Sequence, residues 1–316
     1  MRTNTFVCVF AFIFTGCAGD VTESPVDQPL AEIPTSSVAT DSVPAGTRQP
    51  DWDAESADDE TRSTHLWIVN RARDLLALRT DLPQAVNAVA LLNAPDCEPS
   101  WHQGLVDADF KTPYNGAIFS VPVGAPSAEL ILAGATWASH FYDVDTGLNY
   151  KGQSTPTAFD QALAHLGNAR AKWAANDRAD GCYELGLSLH YMTDITQPMH
   201  ASNYTASDFP VKLHSDFESY AETLQANYVV TSWSGPTAGD PTAQLLAAAH
   251  ASKALWPPLR AAVAASYDAT CADFNLYWID HTSCWTGSSA VAAQLGTELA
   301  SAQLSTASYL YSLALP

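Results

Sequence analysis

The chain has 316 residues, 47% of them apolar, and a formal charge of −20 at pH 7. That length allows one large domain or two small ones with a sizeable core, and so acidic a chain disfavours nucleic acid as its main partner. Alanine and leucine abound while alternating Val/Ile runs are scarce, which predicts an all-α fold.

The first residues read as an export signal. Arg2 precedes an apolar run from Phe6 to Phe14 and then Thr15-Gly16-Cys17. The run is too short to span a bilayer and ends in small residues, so residues 1–17 are expected to be a signal peptide and the protein to be secreted and extracellular. Gly16-Cys17 also looks like the end of a bacterial lipobox, with Phe14 where Leu is usual. Lipid anchoring at the cell envelope through Cys17 and ordinary cleavage nearby both stay open. Residues 18–51 are rich in Pro, Ser, Thr, Asp and Glu without periodicity, as in a disordered linker or pro-segment. Six of the 34 acids and two of the 14 bases precede Trp52, so residues 52–316 carry −16. They show no internal repeat or boundary and are expected to form one domain.

Ser63 or Thr64 caps a helix starting near His65, with Leu66, Val69, Ala72, Leu75 and Leu76 at helical spacing. A second helical stretch covers 83–93. From Cys97 to Pro126 the chain is expected to be irregular, punctuated by Pro99, Gly104, Pro113, Gly116, Pro122 and Pro126. A helix over 127–138 and a loop over 140–152 follow. Helices are predicted at 156–175 and 181–195, the latter ended by Pro198, and at 211–228. Residues 232–241 form a loop, and two or three helices complete the chain, the last over 288–313. Outside the signal, Cys97, Cys182, Cys271 and Cys284 make an even set in an exported protein, so two disulfides are expected. Three pairings exist; the short loop favours Cys271–Cys284, which leaves Cys97–Cys182.

The chemistry concentrates between His190 and Glu218. His190 and Asp194 are four apart, hence on one helix face, and His214 and Glu218 repeat that spacing. His200 lies between, beyond Pro198. These five potential ligands fall within 29 residues, and ionised groups beside Leu187, Leu189, Tyr191, Ile195 and Met199 would otherwise be costly to bury. Neutral imidazoles and carboxylates on rigid helices are what a nitrogen/oxygen zinc site needs. His102, His165, His250 and His281 match no such pattern.

The string from Leu187 to His200 resembles the bacterial zinc-dependent phospholipase C family, which is related to the S1/P1 nucleases. Four other stretches agree in order: Trp52 itself, His65 to Ala72, Ala108-Asp109-Phe110 with Pro113-Tyr114, and Ser139 to Asp143. The resemblance runs from Trp52 to about Tyr220. It implies a single multi-helix domain of the phospholipase C/P1 nuclease type holding three zinc ions. One zinc would use Asp109, His140, His190 and Asp194. A second would share Asp194 and add His65 with the free amino group and carbonyl of Trp52, thirteen residues earlier. The third would use His200, His214 and Glu218. A free amino group at Trp52 requires a cut after Asp51, so the uncut chain would be a zymogen.

The resemblance further implies hydrolysis of phosphatidylcholine or related phospholipids to diacylglycerol and a phosphorylated head group, by attack of a zinc-bound hydroxide. Zinc lowers the pKa of bound water from about 15.7 to about 7. Asp109 is the candidate general base as well as a ligand. Glu55, Phe110 and Trp137 stand where a carboxylate and two rings would hold a quaternary ammonium. The partners would be the lipid head group and, transiently, a membrane surface, met by a monomer. Only about 95 residues follow Glu218 and read as helix, so no C-terminal membrane-docking sandwich is expected. Two rival readings are a three-zinc S1/P1-type single-strand nuclease and a non-catalytic zinc-binding surface lipoprotein. Against the nuclease stand the Trp52–His65 spacing, Glu218 in place of Asp, and Glu55.

Overall fold

The computed structural model describes residues 56–114, 117–120, 137–210, 212–236, 239–271 and 282–315, all within the compact unit Ala45–Pro316. The expected signal and linker, Trp52, Glu55 and the helix over 127–138, apart from Trp137 and Ala138, lie outside the described residues.

Eight α-helices are present among the described residues: α1 (Thr64–Ala77), α2 (Pro83–Leu92), α3 (Glu98–Phe110), α4 (Ala158–Ala174), α5 (Arg178–Ile195), α6 (Leu213–Leu224), α7 (Pro241–Thr270) and α8 (Ser289–Ser312). Sharp starts follow from side-chain caps, which satisfy amide donors that the first turn leaves open. Ser63 accepts from the Leu66 amide at 3.2 Å, which decides between the two expected caps of α1. Thr157 and Asp160 form a reciprocal capping box on α4, and Asp240 and Ser288 cap α7 and α8. Among the described residues, no helix is long and apolar enough to cross a membrane.

The region from Cys97 to Pro126 corrects the expectation of an irregular chain. It contains α3 and a short antiparallel hairpin, β1 (Lys111–Tyr114) and β2 (Ala117–Ser120), with Lys111 opposite Ser120. Pro99 is harmless because it sits in the first turn, where its missing amide has no acceptor to lose. Gly104 is not a breaker but a contact point: a Cβ there would lie 2.2 Å from the Tyr183 carbonyl oxygen, and one on Gly186 would lie 2.1 Å from the Trp101 oxygen. The helical signal of this stretch lies in Trp101, Leu105 and Ala108, which are all buried.

The core has two parts. One joins Leu66, Val69 and Leu75 of α1 to Trp101 and Leu105 of α3, Leu185 and Leu189 of α5, and Tyr309 of α8. The other takes the opposite side of α1, Trp67 and Ile68, with Phe217 of α6, Val263 of α7 and Leu295 of α8. Helix α1 is therefore covered on both sides. Helix α5 is buried at every residue from Leu185 to Ile195, so its polar members, Ser188, His190, Thr193 and Asp194, need partners inside the protein. Both disulfides pair as expected, Cys97 with Cys182 and Cys271 with Cys284.

Candidate metal centre

Helices α3 and α5 pack side by side in parallel. Cys97 bonds to Cys182, Trp101 meets Gly186, and Leu105 accepts from His190. Each step advances both helices by about one turn. The next step places Asp109 beside the end of α5, with Asp109 Oδ1 at 3.3 Å from His190 Nε2. Helix α1 brings His65, whose ring stacks on that of His190 with centroids 4.0 Å apart. A 3-10 turn at Trp137–His140 supplies His140, whose Nδ1 lies 2.9 Å from Asp194 Oδ2 and 3.2 Å from His190 Nε2. His65 Nε2 approaches the other oxygen, Asp194 Oδ1, at 3.7 Å. Asp194 thus faces His65 with one oxygen and the His140–His190 pair with the other.

The second focus is built where α5 ends. Helix α5 stops at Ile195, and the chain turns through Pro198 into a 3-10 turn at His200–Ser202. Gln197 holds that turn. Its Oε1 accepts from the His200 amide at 2.9 Å and from the Met199 amide, and its Nε2 donates to Glu218 Oε1 at 3.1 Å. His214 and Glu218 project from α6. His214 Nε2 lies 2.9 Å from both His200 Nε2 and Glu218 Oε1. The two foci touch, since His200 Nδ1 is 3.3 Å from Asp194 Oδ1.

Potential donor atoms therefore gather in three groups, each within 4.8 Å: His65, His190 and Asp194; Asp109, His140 and His190; and His200, His214 and Glu218. All eight residues expected from these segments come together, and none is more than 4% exposed. Trp52 and Glu55 lie outside the described residues, as does the side chain of Phe110. Trp137 is half-buried, its ring 5.4 Å from that of His140. Phe141 stacks on His200 at 4.5 Å and Tyr142 on Phe159 at 4.9 Å, so both pack the loop that carries His140. Lys253 of α7 binds Asp143 and Asp145 in the same loop. His165 pairs with Glu184 at 2.7 Å and stands apart from the three groups.

The residues fit a divalent cation that prefers nitrogen and oxygen donors. Three carboxylates are buried among five imidazoles, and Glu218 Oε2 is buried with no hydrogen-bond partner. Such an array is costly without a counter-charge. Three rings direct Nδ1 to backbone carbonyls: His190 to Leu105 at 2.7 Å, His200 to His140 at 2.9 Å and His214 to Tyr204 at 2.6 Å. A proton held there leaves the Nε2 lone pair for a metal. Electrostatics agree for the carboxylates. Burial would raise Asp194, but His190 and His140 outweigh it and hold the acid well below the usual range. Burial likewise opposes the lowering of Glu218, which His214 and His200 bring about. Burial would lower His190, yet Asp109 and Asp194 push it up to about 9. Burial, reinforced by His190, holds His65 well below its ordinary value.

Three neighbours have no role that the sequence motifs assign. Gln197 bridges the His200 turn to Glu218. Thr193 lies against His65 Nδ1. Glu298 of α8 is buried with neither carboxylate oxygen hydrogen-bonded. Burial, and then the charge of Glu218, push it well above the ordinary carboxylate range. Glu298 does leave a signal in the sequence: Val291, Leu295, Glu298, Leu299 and Ala302 fall on one helical stripe, which makes it an acid on a core face.

No family model matches the chain. A protein named phospholipase C from Bacillus cereus is 34% identical over 186 residues, covering 59% of this chain and 58% of that protein. Another phospholipase C, from Listeria monocytogenes, is 31% identical over 191 residues, covering 57% and 55%. Over these stretches the chain is similar to bacterial phospholipases C. It spans a little over half the length of these relatives. Among solved structures, the alpha toxin from Clostridium absonum superposes with a TM-score of 0.56 at 19% identity, over 84% of this chain and 65% of that one. An alpha-toxin from Clostridium perfringens gives the same TM-score at 18% identity. The likeness establishes the fold as the all-α one of the alpha-toxins, in agreement with the sequence expectation.

Proposed function

We propose that this chain is an exported, zinc-dependent phospholipase C that hydrolyses phosphatidylcholine or a related phospholipid to diacylglycerol and a phosphorylated head group. The observation that carries the reading is Asp194, whose two oxygens face His65 on one side and His140 with His190 on the other. The names of the relatives point to the same activity.

In this reading Asp109, His140, His190 and Asp194 would hold one zinc, and His65 and Asp194 would hold a second with the amino terminus of Trp52. His200, His214 and Glu218 hold the third. Zinc supplies Lewis acidity toward phosphoryl oxygens and makes water acidic enough to react near neutral pH. Asp109, in the last turn of α3, would accept a proton from the attacking water, and its contact with His190 keeps the carboxylate aimed at the centre. Asp194 keeps the two histidine sets in register. Burial of all these groups strengthens every charge interaction at the phosphodiester. Trp137 supplies a ring face beside His140, and Glu55 and Phe110 complete the head-group cage. The cut before Trp52 activates the enzyme, and lipidation at Cys17 would anchor the uncut form.

The test is a panel of phosphatidylcholine, phosphatidylethanolamine, sphingomyelin and single-stranded DNA, offered to protein that begins at Trp52 with zinc present. Release of phosphocholine, abolished by a chelator, is expected. Release of nucleotides without phosphocholine would overturn the reading in favour of a nuclease.

A further inference from the structure

Four of the five clustered histidines present Nε2 to the centre, and three of them anchor Nδ1 on a backbone carbonyl. His65 is the exception. Its Nδ1 meets a side chain, the hydroxyl of Thr193. Thr193 lies one residue before Asp194 on the buried end of α5, with no exposed surface of its own. Its Oγ1 is 2.8 Å from the His190 carbonyl and 3.0 Å from the Leu189 carbonyl. A threonine within a helix places its single hydroxyl proton on such carbonyls. That leaves the Oγ1 lone pairs to accept from His65 Nδ1. The ring is then a neutral imidazole with its proton on Nδ1 and its Nε2 lone pair directed toward Asp194 Oδ1, 3.7 Å away.

We propose that Thr193 is a positioning residue that selects the tautomer and rotation of His65, so that Nε2 is the donor offered to the metal shared with Asp194. The proposal rests on the zinc reading for its consequence, though not for its geometry. The stacked contact with His190, at 4.0 Å and 24° between ring planes, limits tilting of the His65 ring but cannot distinguish its two nitrogens. An acceptor at Nδ1 does so, because it holds the proton on that nitrogen. The proton on Thr193 is committed to its own helix, so one residue both accepts from His65 and stands beside the shared carboxylate of Asp194. Helix α1 is tied in this way to the face of α5 that matters.

The experiment uses protein that begins at Trp52, in which the site shared by His65 and Asp194 would be complete, labelled with 15N-histidine and freed of zinc, together with Thr193→Val and Thr193→Ser. Long-range nitrogen–proton correlation reads the His65 tautomer, and elemental analysis after dialysis at graded free zinc reads metal content. Wild type is expected to carry the His65 proton on Nδ1. Thr193→Val keeps the shape and loses the acceptor. It should show a mixed or reversed tautomer and a loss of about 10–100-fold in affinity for one zinc, the range for orienting partners of ligands. Thr193→Ser should restore both. A wild-type proton on Nε2 would overturn the proposal even if the valine variant failed to fold. A valine variant matching wild type in tautomer and zinc content would do the same. Lipid turnover is not a readout. A protein that hydrolyses no phospholipid would sink the proposed activity, while the role of Thr193 would still stand or fall with its tautomer and zinc measurements.

Discussion

At the scale of single residues, the centre is defined by where protons and charges are held. His190 and Asp194 are ordinary residues four apart on a helix, and their meaning comes from complete burial, since an ionised pair in a core needs further compensation. Glu298 shows the opposite case, a buried acid with no hydrogen-bonding partner and with Glu218 raising its pKa. Because its folded pKa is raised, the native state holds this proton at pH values where the unfolded chain has released it. Its contribution is therefore fully present below the unfolded value and is lost as pH rises toward the folded one. In chelator-treated protein, Glu298→Gln should match wild type near pH 4.5 and melt at a higher temperature than wild type at pH 8. A melting difference that is flat between these pH values would show that Glu298 does not titrate as described. The pairs His190–Asp194 and His214–Glu218 are legible in the sequence because helical spacing sets local faces, whereas His65, Asp109 and His140 are marked only by the family resemblance. Glu298 belongs to no motif, and only its place on an apolar stripe marks it.

At the scale of elements, the contact between α3 and α5 decides the chemistry. Gly104 and Gly186 let the two backbones approach, and that approach fixes which turn of α3 lies beside which turn of α5. Asp109 reaches His190 only in that register. A methyl group on Gly186 would meet the Trp101 carbonyl at 2.1 Å, so backbone must move. Gly186→Ala is expected to cost about 1–3 kcal/mol or more in urea unfolding and to weaken zinc binding at the Asp109 side. Retention of full stability and full zinc content would show that the helices can separate without disturbing the site. Read as punctuation, Gly104 and Pro99 make α3 look like a loop. A glycine used for close approach and one used to break a helix look alike in the sequence, since the difference lies in a segment some eighty residues away.

At the scale of the whole molecule, the donor groups come from α1, α3, α5, α6 and two 3-10 turns. A metal bound there would cross-link elements that the two apolar clusters already hold in place. Zinc should therefore stabilise the native state by about 2.7 kcal/mol per site at a hundredfold excess over its dissociation constant. A chelator should lower the melting temperature while leaving the helical circular dichroism intact at 25 °C, because the apolar clusters and the Cys97–Cys182 bond do not depend on metal. Loss of helix on chelation would instead make the metal a folding element, the behaviour expected of a purely structural site.

The sequence by itself determined the all-α architecture, most helix positions, the short Cys271–Cys284 link and the five candidates from His190 to Glu218, while the family resemblance added His65, Asp109 and His140. The helices and the pairs His190–Asp194 and His214–Glu218 follow from spacing along a chain, where 3.6 residues per turn places side chains on faces without reference to anything distant. Tertiary structure decided what those faces meet: which oxygen of Asp194 serves which histidines, the acceptor at His65 Nδ1, the bridge of Gln197 between His200 and Glu218, and the burial of Glu298. The reason is physical. Such pairings depend on helix-to-helix distance and register, and these are set by close contacts such as that between Gly104 and Gly186, which no local pattern contains.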